Sequence, residues 1–261
     1  MFSDVDLHVL YKIANAPINP FPFPHIYVRD IFPPDYYRAL REHLPPAQAL
    51  QTLTSLKRVT GNYPDSRLVL PVTPNAVDAL PSPYREFWQQ AASWLLNGSF
   101  GQTIMPKFAE YLELRFGNIN QVQFYDDALV VQDSTTYTLG PHTDTPKKVL
   151  SFLFYLPADN SMAHLGTSIY LPKNPEFRCV GGPYHPFENF RRVATMPYVP
   201  NALFAFLKTS NSFHGVEPIT DAHVKRDLLL YDIQVENPPE LLKPGVPVSQ
   251  AAAVPGSNFT F

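Results

Sequence analysis

The sequence predicts a mainly β protein with flanking α-helices, its core a closed or double-sheet antiparallel jelly roll. Three observations lead there. Among 261 residues stand 29 prolines, 19 phenylalanines and 14 tyrosines, a composition suited to short extended segments joined by rigid turns. The hydrophobic share of 45 % against 16 % charged residues supplies a substantial core. The apolar pattern also changes along the chain, from helix-like spacing in the first part to short strand-like runs broken by Gly, Pro and Asn in the second.

Taken in order, His25 to Val28 reads as a strand entered through Pro20, Pro22 and Pro24. Asp35 to Leu44 reads as an amphipathic helix: Tyr36, Leu40 and Leu44 share one face, Pro33-Pro34 suits its start, and Pro45-Pro46 stops it. A second helix follows Pro83, with Phe87, Trp88 and Leu95 on its buried side, and breaks at Asn97-Gly98. A third is expected from about Gln102 to Phe116. Strands then follow at Ala128 to Val131, Val149 to Leu156, Thr167 to Leu171, Ala202 to Leu207 and Leu228 to Val235. Pro172 to Pro200 has little periodicity and reads as a long loop, placed to cover the mouth of a site. The whole is expected to be one domain over 1–236, with helical support over about 20–117 and the β core over about 118–236. Residues 237–261, rich in proline, read as an extended tail.

A formal net charge of −3 gives no electrostatic case for a nucleic-acid partner or an acidic membrane surface. The single cysteine, Cys179, excludes an internal disulfide framework. The first ten residues lack a basic segment followed by an apolar one, and no window has the apolar length of a membrane span. A cytoplasmic protein is the expectation, and its oligomeric state is left open.

The chemistry-bearing residues are scattered. His142 and Asp144 stand in Gly140-Pro141-His142-Thr143-Asp144, at a spacing that puts both side chains on one face of an extended segment. His214 lies far downstream, in Phe213-His214-Gly215-Val216, and must come from another strand. Two imidazoles and one carboxylate are the facial triad of non-heme Fe(II), which leaves positions open for chemistry. A His-x-Asp alone arises by chance in exposed turns, and His214 alone could be a satisfied core histidine; their conjunction beside strands favours a metal. Arg226 opens the last apolar run on the face of Leu228 and Leu230, and Lys225 alternates to the other face. If the Arg226 face is interior, the guanidinium needs an anionic partner, which a cosubstrate carboxylate would supply bidentately. His8, His25 and His43, in the N-terminal section away from the strand-rich half, and His164, His185 and His223, in loops and a turn, are poorer candidates.

At Pro141-His142-Thr143-Asp144, Gly166-Thr167, Pro200-Asn201 and Phe213-His214-Gly215-Val216 followed by Arg226, the chain resembles the Fe(II)- and 2-oxoglutarate-dependent oxygenases. The nearer similarity is to their prolyl-4-hydroxylase-like branch, through Pro22 to Val28 and the Pro-Pro-Asp-Tyr-Tyr helix start at Pro33. The resemblance implies a double-stranded β-helix (a cupin-like barrel) with His142, Asp144 and His214 as iron ligands and Arg226 on the distal carboxylate of 2-oxoglutarate. Tyr137 resembles a tyrosine that contacts the same cosubstrate. It implies a dioxygenase that uses Fe(II), 2-oxoglutarate and O2, with ascorbate as a reductant, and releases succinate and CO2. Halogenating relatives carry a small residue in place of the metal carboxylate, so Asp144 favours hydroxylation. The expected substrate is a small molecule or free amino acid, with Arg191 and Arg192 as candidate contacts, and Lys147 and Lys148 placed just past the iron motif. A cupin-type metal barrel that makes no use of Arg226, and a non-catalytic jelly-roll binding protein, are the alternatives.

Overall fold

In the computed structural model of the chain the described residues are 4–59 and 63–238. The N-terminal part runs α1 (Val5–Asn15), β1 (His25–Arg29), α2 (Pro34–Glu42), β2 (Gln51–Thr52), β3 (Arg67–Pro71), α3 (Pro74–Asp78), α4 (Tyr84–Leu95), α5 (Ser99–Ile104) and α6 (Ala109–Phe116). Strands follow: β4 (Phe124–Ser134), β5 (Leu139–His142), β6 (Lys148–Tyr155), β7 (Thr167–Pro172), β8 (Phe190–Met196), β9 (Ala202–Leu207), β10 (His214–Val216) and β11 (Lys225–Val235). They form two antiparallel sheets, one in the order β1-β9-β6-β11-β4-β3-β2 and the other β5-β10-β7-β8. This is the jelly roll the sequence predicts.

Strand alternation divides the apolar residues between two layers. Val130, Phe152, Phe154, Leu203, Ala205, Leu229, Tyr231 and Ile233 face the helices and pack with Tyr36, Leu40, Trp88, Leu95 and Leu112. The intervening positions Val131, Tyr155, Phe204, Phe206 and Leu228 point between the sheets, where Val69 and Ile169 join them. Fully burying one such side chain stabilises the fold by roughly 1.5–3 kcal/mol, and a one-residue slip of β11 would exchange its two faces. Register is therefore strongly specified, and with it the placement of polar residues at the ends of the inner faces.

The predicted strands are present, mostly longer than the apolar signal that betrays them. Three features differ from expectation. The helix expected over 102–116 is broken into α5, a 3-10 turn at Met105–Phe108 and α6, because Pro106 has no N–H to donate. The segment Pro172 to Pro200 is not one loop: β8 lies within it, an edge strand of sequence FRRVATM. Its residues 191–193 are exposed whichever way they point, so no period of two marks it. Finally, α1 is not among the expected elements, although Val5, Val9 and Ile13 carry its helical period. The proline-rich tail lies outside the described residues from 239 onward. No helix among the described residues is long and apolar enough to cross a membrane.

Candidate metal centre

His142 ends β5 and His214 begins β10, and the two are cross-strand partners. Asp144 lies just past the strand end. Its Oδ1 is 3.9 Å from His142 Nε2 and 3.8 Å from His214 Nε2. The three ligand atoms lie within 4.8 Å of one another, the one such group of histidine, cysteine or acidic side chains among the described residues. Two donors each about 2.1 Å from a common ion can be no more than roughly 4.2 Å apart, and the separations of Asp144 from the two histidines, 3.9 and 3.8 Å, meet that limit.

The hydrogen bonds around the triad orient it. His142 Nδ1 lies 3.0 Å from the Gly140 carbonyl oxygen and His214 Nδ1 lies 3.0 Å from that of Ser212. A ring that donates Nδ1–H to a carbonyl presents the Nε2 lone pair outward, the tautomer a metal requires. Ser151 Oγ donates to Asp144 Oδ2 at 2.9 Å, leaving Oδ1 toward the histidines. Burial, seconded by the neighbouring His214, pushes His142 down to about 3 against the pull of Asp144. Burial lowers His214 as well. Burial works the other way on Asp144, yet Lys148, then His214 and His142, then Ser151 hold its carboxyl well below the usual range. The site thus presents two neutral imidazoles and an ionised carboxylate at neutral pH.

Several groups brace the Thr143–Lys148 turn. Thr143 Oγ1 donates to the Cys179 carbonyl at 3.0 Å and accepts from the wholly buried Lys208 Nζ at 2.8 Å; Lys208 also donates to the Thr209 carbonyl at 3.0 Å. On α6, Arg115 donates to the carbonyls of Lys148 and Pro146 at 2.8 and 2.5 Å. Lys148 itself reaches Asp232 at 2.9 Å and Asp144 at 3.7 Å. The loop between β7 and β8 packs along this turn: His185 N–H donates to the Pro141 carbonyl at 2.8 Å, and Gly181 approaches the Asp144 carbonyl. At Gly181, with φ +138°, an added Cβ would lie 2.5 Å from that oxygen. Gly215 likewise leaves no room for a Cβ against the Leu139 carbonyl, where β10 bulges past β5.

Arg226 is fully buried on the inner face of β11, as its alternation predicts. Its anionic partner is not a vacant place for a cosubstrate alone, however, but Asp133 on β4, 2.6 Å from Nη1. That carboxylate comes from the protein's own next strand, which the spacing of Arg226 within its own segment could not disclose. Arg226 Nε donates to the Leu165 carbonyl at 2.7 Å and Nη2 to Thr167 Oγ1 at 3.3 Å. Asp133 is gripped from the other side by Arg67 of β3, Nε at 2.6 Å and Nη2 at 2.8 Å. The buried Tyr137 lies under Arg67, ring centroid to guanidinium carbon 4.4 Å, and its hydroxyl is 3.4 Å from that of Tyr63. Tyr137 therefore joins the arginine cluster and not the metal group.

Strand register relates the two groups. His214 pairs with Ile169 on β7, and Thr167, which touches Arg226, is two residues away, roughly 7 Å along the strand. The inner-face Leu153 and Leu230, cross-strand partners on β6 and β11, are only half-buried. Arg191 and Arg192, adjacent on β8, are exposed and point to opposite faces, and Arg192 meets Glu217 at 3.5 Å. They do not converge on the triad. Asp133 carried a sequence signal: a charge at the inner-face period of β4, two residues beyond buried Val131. Arg67, Lys208 and Arg115 carried none beyond their charge.

No protein-family model matches the chain, and no curated protein does. Solved structures do. A prolyl hydroxylase from Trichoplax adhaerens, in complex with a peptide fragment of the hypoxia inducible factor oxygen degradation domain, aligns with a TM-score of 0.52 and 10 % identity, covering 88 % of this chain and 89 % of that one. Dioxygenase for auxin oxidation 1 from Arabidopsis thaliana, in its binary complex with 2-oxoglutarate, aligns with a TM-score of 0.51 and 13 % identity, covering 94 % and 93 %. At such identities the likeness establishes the fold alone, a double-stranded β-helix.

Proposed function

We propose that the protein is an Fe(II)- and 2-oxoglutarate-dependent dioxygenase that hydroxylates an unactivated C–H bond of a small molecule or amino acid. The observation that carries the reading is the convergence of His142, Asp144 and His214, with both imidazoles fixed through Nδ1 so that Nε2 faces the shared point. Two neutral nitrogens and one carboxylate suit Fe(II) and leave coordination positions for other groups. Bound there, Fe(II) with 2-oxoglutarate and O2 supplies the oxidant, succinate and CO2 being the co-products and ascorbate a reductant that maintains Fe(II).

The chain's own residues have distinct tasks in this reading. Ser151 fixes which oxygen of Asp144 turns to the metal. Lys208 and Arg115 hold the turn that carries Asp144. Arg226 binds the distal carboxylate of 2-oxoglutarate from inside the barrel, with Tyr137 in the same buried cluster. The apolar, half-buried Leu153 and Leu230 support a compact substrate with C–H bonds turned to the metal, whose binding would displace water there. Arg191 and Arg192 are proposed only as outer contacts for an anionic substrate. A cytoplasmic location and a single domain over 1–236 belong to the same proposal, the former supported by the lone free Cys179.

Anaerobic addition of Fe(II) followed by 2-oxoglutarate tests this reading. A weak visible charge-transfer band should develop in the wild type and be absent from Asp144→Ala and His214→Ala. A wild-type protein that binds Fe(II) but gives no band would leave the cupin-type alternative. Succinate release, screened over amino acids, small carboxylic acids and peptides, then identifies the substrate; the Trichoplax enzyme is complexed with a peptide.

A further inference from the structure

Arg67, Asp133 and Arg226 form a buried cluster of two cations and one anion. Arg226 and Asp133 are fully buried, and the Arg67 side chain is 12 % exposed. The neighbouring Asp227 does not change the balance: it points to the other face of β11, where Arg41 lies 3.8 Å away and Gln132 donates to it at 2.9 Å. The flanking groups are uncharged hydroxyls and rings: Tyr63, Tyr137, Tyr155, Tyr198 and Thr167. One positive charge is thus left over in a place where an unbalanced charge is costly.

We infer that Arg67 and Asp133 set the charge of the cosubstrate subsite, Arg67 cancelling Asp133 so that Arg226 is free to hold one carboxylate. The inference rests on the proposed 2-oxoglutarate chemistry and deepens it. Arg226 has five N–H donors, of which three have partners among the described residues: Leu165, Asp133 and Thr167. The two left over, one on Nη1 and one on Nη2, are donors that an incoming carboxylate can take. With Arg67 absent, Asp133 alone would neutralise Arg226, and an incoming carboxylate would meet a bare carboxylate within a few ångströms. Arg67 touches Asp133 and not the subsite donors, so it is a positioning residue, supplied by a strand outside the β4–β11 core.

The test is 2-oxoglutarate binding to the metal-loaded full chain. The visible band is titrated anaerobically with Fe(II), and calorimetry with Mn(II) in place of iron gives an affinity independent of turnover. Arg67→Gln should weaken 2-oxoglutarate binding by at least about thirtyfold, the scale expected when one partner of a buried charge pair is removed. Arg67→Gln with Asp133→Asn restores the single positive charge and should recover binding to within about tenfold of wild type, a rescue that lost packing cannot produce. Arg67→Lys, which keeps the charge without the fork, guards against misfolding of the glutamine variant and should also stay within about tenfold. Wild-type affinity in a folded Arg67→Gln protein overturns the inference. So does a folded double variant, or a folded Arg67→Lys protein, that binds as poorly as Arg67→Gln. A wild type that takes up metal but not 2-oxoglutarate overturns the proposed cosubstrate and this inference together.

Discussion

Lys208 lets the metal turn be separated from the stability of the fold. Its ammonium is wholly buried, has only a threonine hydroxyl and a backbone carbonyl as partners, and has no carboxylate at ion-pair distance among the described residues. Burial pushes it down to about 8, with Asp144 opposing, from an ordinary value of 10.5. The difference corresponds to about 3 kcal/mol by which the folded state disfavours the charged form. Between pH 8 and 10.5 the unfolded chain keeps this proton and the folded chain releases it. The unfolded state then binds more protons, and stability from this group rises with pH; below 8 the full penalty is present. Lys208→Met removes the penalty and also two hydrogen bonds, taken at a net worth of about 1 kcal/mol each. At pH 7 the metal-free variant should therefore be more stable by about 1–2 kcal/mol. Its advantage should shrink by about 3 kcal/mol as the pH rises to 10.5, ending as a small deficit. Urea denaturation of both proteins at pH 7, 8, 9 and 10.5 measures this, and a difference that stays flat across the series would refute the reasoning. The variant should also bind metal more weakly, since Thr143 loses its anchor between two ligands.

Three further outcomes are expected. Burial holds His142 at about 3 and lowers His214, so protons should compete poorly for the ligands: Mn(II) affinity should change less than about threefold between pH 7.5 and 6, where two unperturbed imidazoles would lose roughly tenfold. Calorimetry at both pH values decides this. Gly181→Ala, which would set a Cβ 2.5 Å from the Asp144 carbonyl at φ +138°, should reduce metal affinity at least tenfold with a smaller loss of stability, read from Mn(II) titration beside thermal melts. Asn201, at φ +57°, receives the Phe32 N–H and donates to the Phe32 carbonyl, both at 2.9 Å and buried. Asn201→Ala should cost about 2–4 kcal/mol in urea denaturation, and a value under 0.5 would show that water replaces the side chain.

How much was legible in the sequence differs between the two halves of the site. The triad was legible because its members stand beside strands with strong apolar runs, and a spacing of two fixes a common face for His142 and Asp144 wherever the chain is extended. The strands that carry them, β5 and β10, were not: Leu139-Gly140-Pro141-His142 and His214-Gly215-Val216 are short, contain turn-forming residues and pair through a bulge. Arg226 was placed on the inner face by alternation, but its partner was not foreseen. Asp133 faces it from β4 and Arg67 from β3, and register across three strands is a property of the assembled sheet. Helix-period reasoning found α2 and α4, whose buried residues recur every three to four positions, and failed at Pro106, where the continuing apolar pattern hides a break in hydrogen bonding.

The two carbonyls that Arg115 takes from the Pro146–Lys148 turn carry a wider meaning. The turn that holds the metal carboxylate is tethered to a helix, and that helix packs on the far side of the large sheet through the buried Leu112. Any loosening of the helical layer, by heat, by truncation of the N-terminal part or by a substitution far from the histidines, would be transmitted to the position of Asp144. Metal affinity then acts as a gauge of how well that layer is seated. An engineer seeking to graft the iron site would have to transplant α6 with the barrel.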